Sequence, residues 1–421
     1  MIPLAKPIFS DDETRAVQRV IESGWVTQGP VVGEFERAFS SATGAEHSVA
    51  VSNCTAAMQL TLFALGVRPG DAVITVSHSF IATANCVRAC GAEPLFVDID
   101  ESSFNMDPSD LKRFLHERCD LEQGELILKD PGALYRDQSP LRYVAPERLR
   151  IKAVLVPHQA GMPADLRQIL PLCASVNVPV VEDAACALGS RACFDPGNSE
   201  LAPIGRPYGY AACFSFHPRK VITTGDGGMI TVKDGDVAER LRRLRHHGMS
   251  VSDLTRHSEK TVVMESFPET GFNYRLTDIQ AAVGVAQMSK LEAIIRKRRA
   301  LGEEDLSLLH GHPDIQLPSE PPWAEVNWQS FIITLSERAA GHRQRIMDQL
   351  LALGVSTRRG ILNAHTEPAY LAQDWSLPKS ESVAERTITL PLYPELESCA
   401  TVCSALEDAL PRTGCPSGAE I

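Results

Sequence analysis

Short β-branched runs alternate with amphipathic stretches along the first half of this chain, and that rhythm restricts the fold more than any other feature. Ser48–Ser52 reads as a strand, Thr55–Leu65 as a helix ending near Gly66, and Val73–Val76 as a buried strand. Ile81–Ala89 reads as a helix, Pro94–Ile99 as a strand and Pro108–His116 as a helix. Lys152–Val156, Asp165–Ser175 and Pro179–Glu182 continue as strand, helix and strand. Strands that recur with a helix between them are joined by crossovers, which gives a mainly parallel sheet with helices on both faces. Ahead of this region Ser10-Asp11-Asp12-Glu13 has the capping-box pattern. Ala16, Val17, Val20 and Ile21 follow at helical spacing, and Gly24 stands where that helix should stop. Gly24–Pro30 then reads as a loop and Glu34–Phe39 as a second helix.

The rhythm fails between Asp120 and Arg150. This stretch is polar, contains Pro131, Pro140 and Pro146, shows no clear period, and reads as an insertion loop with some helix in it. After a strand at Met229–Val232 and a helix at Val237–Arg245, one long helix is expected over Thr277–Arg299, with Ile279, Ala282, Val283, Val285, Met288, Leu291 and Ile294 on its apolar face. A proline-rich stretch at Pro313–Pro322 follows. Strand Ser330–Leu335, helix Arg343–Leu353, strand Val355–Arg358 and helix Leu396–Ala409 then make a smaller unit. The expectation is a large α/β domain over 1–290, a small C-terminal α+β domain over 291–421, and a loose tail from Arg412.

Composition removes several classes. A formal charge of −12 counts against non-specific binding to nucleic acid, which normally needs a basic face, and no nucleic-acid partner is expected. The 11 cysteines include no C-x-x-C pair, and Cys86/Cys90 and Cys399/Cys403 have no histidine cluster beside them, so no metal site is expected and the thiols are read as buried and reduced. The start of the chain lacks a signal-peptide core, and no apolar run reaches the roughly 18 residues that cross a bilayer. The expectation is a cytoplasmic protein with no membrane partner.

The chemistry concentrates in Ala211–Met229. A strand of alternating small and aromatic residues ends in Ser215-Phe216-His217-Pro218-Arg219-Lys220, and a glycine-rich turn follows at once. Desolvation at such a position lowers an amine's pKa, which suits a lysine that forms a Schiff base, although a lysine after a strand is ordinarily a solvated surface charge. Val180-Val181-Glu182-Asp183 places an acid at the end of a buried strand, where it needs a partner. In a pyridoxal-phosphate enzyme that partner is the pyridinium nitrogen, and the alternative is that Asp183 caps a helix starting at Ala184. Val51–Ala57 turns from strand to helix through small polar residues, so its backbone N–H groups can hold a phosphate, or Ser52 or Asn53 can simply cap the helix. There is neither G-x-G-x-x-G nor a Walker A lysine.

In this order the three segments resemble the DegT/DnrJ/EryC1/StrS family of pyridoxal-phosphate (PLP) sugar aminotransferases. Ser23–Pro30 looks like the family's opening signature, and Gly271–Ala282, His365–Tyr370 and Leu390–Pro394 look like later ones. The resemblance implies a fold type I PLP enzyme that works as a homodimer with shared active sites. Lys220 matches the Schiff-base lysine and Asp183 the ring-nitrogen partner. Thr55, Ala56 and Ser215 match phosphate ligands, and Asn273 matches a phosphate ligand lent by the other subunit. Phe80 matches the ring that stacks on the cofactor, against a plain reading as core. Cys186 stands where Gln or His usually reaches the cofactor's 3′-oxygen, Cys54 replaces a common Gly, and Asp226 replaces a common Glu. His158 sits at another strand end, either in the site or as an ordinary loop histidine.

The implied reaction moves an amino group from an amino acid, L-glutamate by resemblance, to a keto sugar that is nucleotide-linked, in amino-sugar or secondary-metabolite biosynthesis. Its rivals are transfer to a ketocyclitol or a non-sugar ketone, a different PLP reaction such as a lyase or racemase, and a non-enzymatic scaffold. Family members that dehydrate sugars carry His at the lysine position, so Lys220 favours amino transfer.

Overall fold

The computed structural model describes residues 1–136, 138–194, 200–251, 264–371 and 374–411; the reading of Arg412–Ile421 as a tail lies outside them. The strands of the first half are β1 (His47–Val51), β2 (Asp71–Val76), β3 (Glu93–Val97), β4 (Cys119–Glu122), β5 (Glu125–Leu128), β6 (Leu149–Pro157), β7 (Val180–Asp183), β8 (Arg191–Ala192), β9 (Ala202–Pro203), β10 (Ala211–Ser215) and β11 (Gly228–Val232). The central sheet runs β1-β11-β10-β7-β6-β2-β3. From β10 to β3 every pairing is parallel, whereas β11 is antiparallel to both β1 and β10. The sheet is therefore mixed, with the expected parallel arrangement in the half built from strand–helix–strand crossovers. Helices α1 (Asp11–Ser23), α2 (Pro30–Thr43), α3 (Cys54–Leu65) and α4 (Ala82–Ala89) belong to the layers that flank it.

Local chemistry sets the element ends. Ser10 Oγ accepts from Asp12 N–H while the Glu13 carboxylate accepts from Ser10 N–H, and Gly24 closes α1 in the left-handed region at φ 73°. The buried stripe of α1 is Ala16 and Val20, which pack with Ala282; Ile21 lies off that stripe and is exposed. α2 is longer than expected because its start is capped from far away. Asp278 accepts from the N–H groups of Gly29, Val31 and Val32 at 2.8, 3.2 and 3.0 Å.

Three expectations are corrected. The Asp120–Arg150 stretch is only in part the loop expected: its second half has the short helical turns Pro131–Leu134 and Leu141–Val144, but its first half is a hairpin. β4 and β5 form a hairpin across Gln123-Gly124, both at positive φ, and β5 adds itself antiparallel to the start of β6 with Leu126, Ile127 and Leu128 buried. A two-residue turn with left-handed backbone matches strand twist, and Gly supplies one of those positions without strain. The long helix expected over Thr277–Arg299 is two helices, Asp278–Met288 and Leu291–Leu308. At the break Lys290 N–H donates to Gln287 O, a tighter i→i−3 bond, and the Lys290 ammonium is tied to the Glu13 carboxylate at 2.6 Å. Near the C-terminus the strand expected at Val355–Arg358 is only Arg358–Arg359, and the last helix starts at Ala400. Helix Pro378–Arg386 and strand Thr387–Leu390 were not foreseen.

The remaining strands are β12 (Ile315–Gln316), β13 (Ala324–Glu325), β14 (Phe331–Leu335), β15 (Arg358–Arg359) and β16 (Thr387–Leu390). They include an antiparallel sheet in the order β12-β14-β16-β15. A second apolar cluster, with Phe331, Ile333, Leu350, Ile388 and Leu406 among its members, packs beneath it. Every cysteine among the described residues is a free thiol.

Asp305 lies in this second region with Cys403 Sγ donating to its Oδ1 at 3.5 Å, and its Oδ2 has no partner among the described residues. Burial pushes its carboxyl up from 3.8 to about 7. The folded state therefore binds this proton more tightly than the unfolded chain does. The associated stabilisation is complete below 3.8 and is lost as pH rises through about 7, a change on the order of a few kcal/mol. Urea midpoints measured between pH 5 and pH 8 are expected to fall with pH, and Asp305→Asn should flatten that fall; an unaltered slope in the variant would contradict the assignment.

Candidate active site

Parallel strands open their carboxyl ends onto one edge of the sheet, and ligands collect there. β6, β7 and β10 end at a cavity of about 310 Å³. The start of α3 and the Ser79–Thr83 segment form further walls. The opposite side comes from Gln329, Ser330 and residues of β14, β15 and β16, with Leu4 and Ala5 from the N-terminal segment.

Period-two alternation along β10 aims its side chains. Phe214 and Phe216 turn into the core, where their rings meet Phe39 and Phe35 at 4.9 and 5.1 Å, while Ser215 between them faces the cavity. The lysine loop after β10 is folded by its own bonds. Phe216 N–H donates to Gly227 O, Lys220 N–H to His217 O and Thr224 N–H to Phe216 O. This fixes Lys220 in the cavity wall, half-buried, with its ammonium donating to Cys186 Sγ at 3.1 Å. Burial alone would push that ammonium down, but the neighbouring Cys186, Asp183 and Cys54 outweigh it and hold Lys220 above its ordinary value. The sequence led to the opposite expectation, because desolvation could be inferred from the apolar neighbours and the Cys186 contact could not. Burial likewise pushes the Cys54 thiol well up.

Asp183 is buried at the end of β7, directly beside β10 through the Cys213–Asp183 pairing. It caps no helix. Thr83 Oγ1 donates to its Oδ2 at 2.8 Å and Ala185 N–H to its Oδ1 at 3.2 Å. Thr83 is in turn within 2.8 Å of Ser79 Oγ. His158 also lines the cavity, yet its ring is engaged elsewhere. Nδ1 accepts from Ala164 N–H at 2.9 Å, which leaves Nε2 to donate to Glu182 at 3.3 Å. Phe80 is 55% exposed at the cavity, so it is no core residue.

The phosphate turn divides. Asn53 Oδ1 accepts from Ala56 N–H at 2.8 Å, so the Ala56 amide is engaged by the cap and Ala56 is not among the cavity walls. Asn53, Cys54 and Thr55 are, and the first turn of a helix of this length presents N–H groups without intrahelical acceptors. A Cβ on Gly228 would stand 2.5 Å from Asn53 C, so only glycine lets β11 approach the turn this closely. Asn273 is exposed and lies outside the cavity. Thr83 and Arg358 were missed by sequence reasoning; nothing local marks either, and both reach the site through chain folding.

These residues fit pyridoxal phosphate. An amine and a buried carboxylate share one cavity, a helix start faces it beside a glycine-only contact, and an aromatic ring stands exposed at it.

A model of the DegT/DnrJ/EryC1/StrS aminotransferase family matches residues 7–407. The chain is similar to the aminotransferase TlmJ from Streptoalloteichus hindustanus, with 30% identity, a TM-score of 0.80, and 97% of this chain and 98% of that one covered. It is also similar to DesV from S. venezuelae, solved in complex with a ketimine intermediate, at 31% identity, TM-score 0.78 and the same coverage. NtdA from Bacillus subtilis, solved with bound cofactor PMP, matches at 25% identity and TM-score 0.75 over 95% of this chain and 81% of that one.

Cys186→Ala removes the acceptor that most strongly raises Lys220, so the lysine should titrate lower. The pH profile for capture of pyridoxal by the cofactor-free protein should move to lower pH. A profile identical to that of the unmodified protein would show that the thiol does not hold the ammonium.

Proposed function

The chain belongs to the DegT/DnrJ/EryC1/StrS aminotransferase family, and from that premise we propose that it carries pyridoxal phosphate on Lys220 and moves the amino group of L-glutamate to a nucleotide-linked keto sugar. Membership makes it an aminotransferase of sugar or secondary-metabolite biosynthesis. One observation supports the assignment of Lys220: the lysine, in the loop after β10, and Asp183, at the end of the adjacent parallel strand β7, line the same cavity.

The cofactor supplies an electron-accepting ring; the residues supply position and protons. Lys220 Nζ, in the cavity wall, would hold the cofactor's aldehyde end and, as a free amine, would serve as the base and acid that moves the proton of the donor's Cα. Asp183, held by Thr83 and by Ala185 N–H, would keep a proton on the ring nitrogen through a charge-assisted bond. Thr55 at the start of α3, with Ser215, would hold the phosphate; Ala56, whose N–H is taken by Asn53 and which lies outside the cavity wall, would not. Phe80, exposed at the cavity, would cover the ring. Cys186 takes the place beside the 3′-oxygen, where a thiol is a weak partner, and its contact with Lys220 gives it a second role. The protein acts as a homodimer, and the exposed Asn273 is the residue each subunit lends to the other's phosphate.

Half-reactions test this reading. Glutamate added to the loaded enzyme should release 2-oxoglutarate in a one-to-one ratio with the amino form, and that form should then aminate nucleotide-linked keto sugars in preference to ketocyclitols or simple ketones. Lys220→Ala should lower the first half-reaction on the order of 10³-fold, and Asp183→Asn about a hundredfold. Normal turnover in the lysine variant would overturn the reading.

A further inference from the structure

Two arginines in the cavity wall, Arg358 and Arg219, have no counterion among the described residues. Arg358 and Thr389 are paired across β15 and β16, and both line the cavity. The next residue, Arg359, points to the other face of the strand as period two requires, and it finds Glu367 at 3.6 Å. The Arg358 guanidinium has no ion pair and no hydrogen bond among the described residues. Arg219, one residue before Lys220, is in the same position. Its backbone N–H donates to His217 Nδ1 and its carbonyl accepts from Gln329, but its guanidinium touches no acid among the described residues. The acids in the wall are Asp183, which is held by Thr83 and Ala185 N–H, and Asp226; neither lies within ion-pair distance of either arginine.

Arg358 also feels its like-charged neighbours. Burial lowers Arg358 from its ordinary value, and Arg219 and Arg359 lower it further, with no acid acting against them. A lone exposed Arg219 would be an ordinary surface charge. A half-buried Arg358 brought from a distant strand to the same cavity is different, because a partly desolvated cation without an acid, with a second cation in the same wall, calls for an anion. The planar guanidinium fork matches carboxylate and phosphate oxygens two at a time.

We propose that Arg358 and Arg219 form an oxyanion-binding subsite beside Lys220 that takes a carboxylate of the amino-acid donor or a phosphate of the acceptor. The inference rests on the aminotransferase reading and adds to it what the wall opposite the sheet recognises.

Glutarate, a dicarboxylate with no amine, and inorganic phosphate are suitable probes for calorimetry on the holoenzyme. Arg358→Gln should weaken binding of the probe by about tenfold to a hundredfold, and Arg358→Lys should restore part of the loss. Arg219→Gln should weaken it as well, and being exposed it guards against a folding defect in the first variant. Arg359→Gln, on the opposite face, should leave probe binding unchanged. The two half-reactions then separate the sources. A raised saturation constant for glutamate, with no matching change for an amine donor that lacks a carboxylate, identifies the donor's carboxylate. A raised constant only for the nucleotide-linked acceptor identifies phosphate. Equal binding of both probes by wild type, Arg358→Gln and Arg219→Gln would overturn the subsite. If the probe binds through Arg358 but wild type releases no 2-oxoglutarate from glutamate, the proposed reaction fails and the subsite stands.

Discussion

A carboxylate buried at the end of a strand is tolerable only where hydrogen bonds and a cation answer it, and the site is organised around that demand at Asp183. Thr83 and Ala185 N–H fix its two oxygens, so the carboxylate has a set direction in the cavity. β10 lies directly alongside and delivers Lys220 through a loop closed by its own backbone bonds. The lysine is raised rather than lowered because Cys186, Asp183 and Cys54 together outweigh desolvation. The amine in this cavity is thus a held ammonium, and a bound cation opposite Asp183 would change the balance that holds it.

The surrounding scaffold keeps these groups in register. Asp278 caps α2 from across 246 residues of sequence, and α2 carries Phe35 and Phe39 against Phe216, just after β10, and Phe214 in it. On the other side Arg298 is buried and donates to the carbonyls of Trp328, Gln329 and Leu392 at 3.0, 3.3 and 3.1 Å. Burial without an acid lowers it to about 10. Gln329 and Leu392 are cavity walls, so a buried cation braces the face opposite the sheet.

Much of this was legible in the sequence because it depends on local pattern. The crossover rhythm, the Ser10 capping box, the acid at the end of β7 and the lysine after β10 each leave a signature within a few residues. The β4–β5 hairpin was missed because its apolar core, Leu126–Leu128, is short and flanked by charge. The break at Ser289-Lys290 was invisible because both residues are acceptable in a helix; the break coincides with a long-range bond from Lys290 to Glu13. Arg358 could not be seen as a site residue for the same reason: its place in the cavity comes from β15 packing toward the sheet. The direction of Lys220 was misjudged because a thiol contact 34 residues away carries no local mark.

The central claim is that one amine captures the cofactor. Protein loaded with pyridoxal phosphate, reduced with borohydride, digested and analysed by mass spectrometry tests it most directly. The account predicts a single peptide bearing the reduced cofactor on Lys220. An adduct on another lysine, or none under loading conditions, would contradict it.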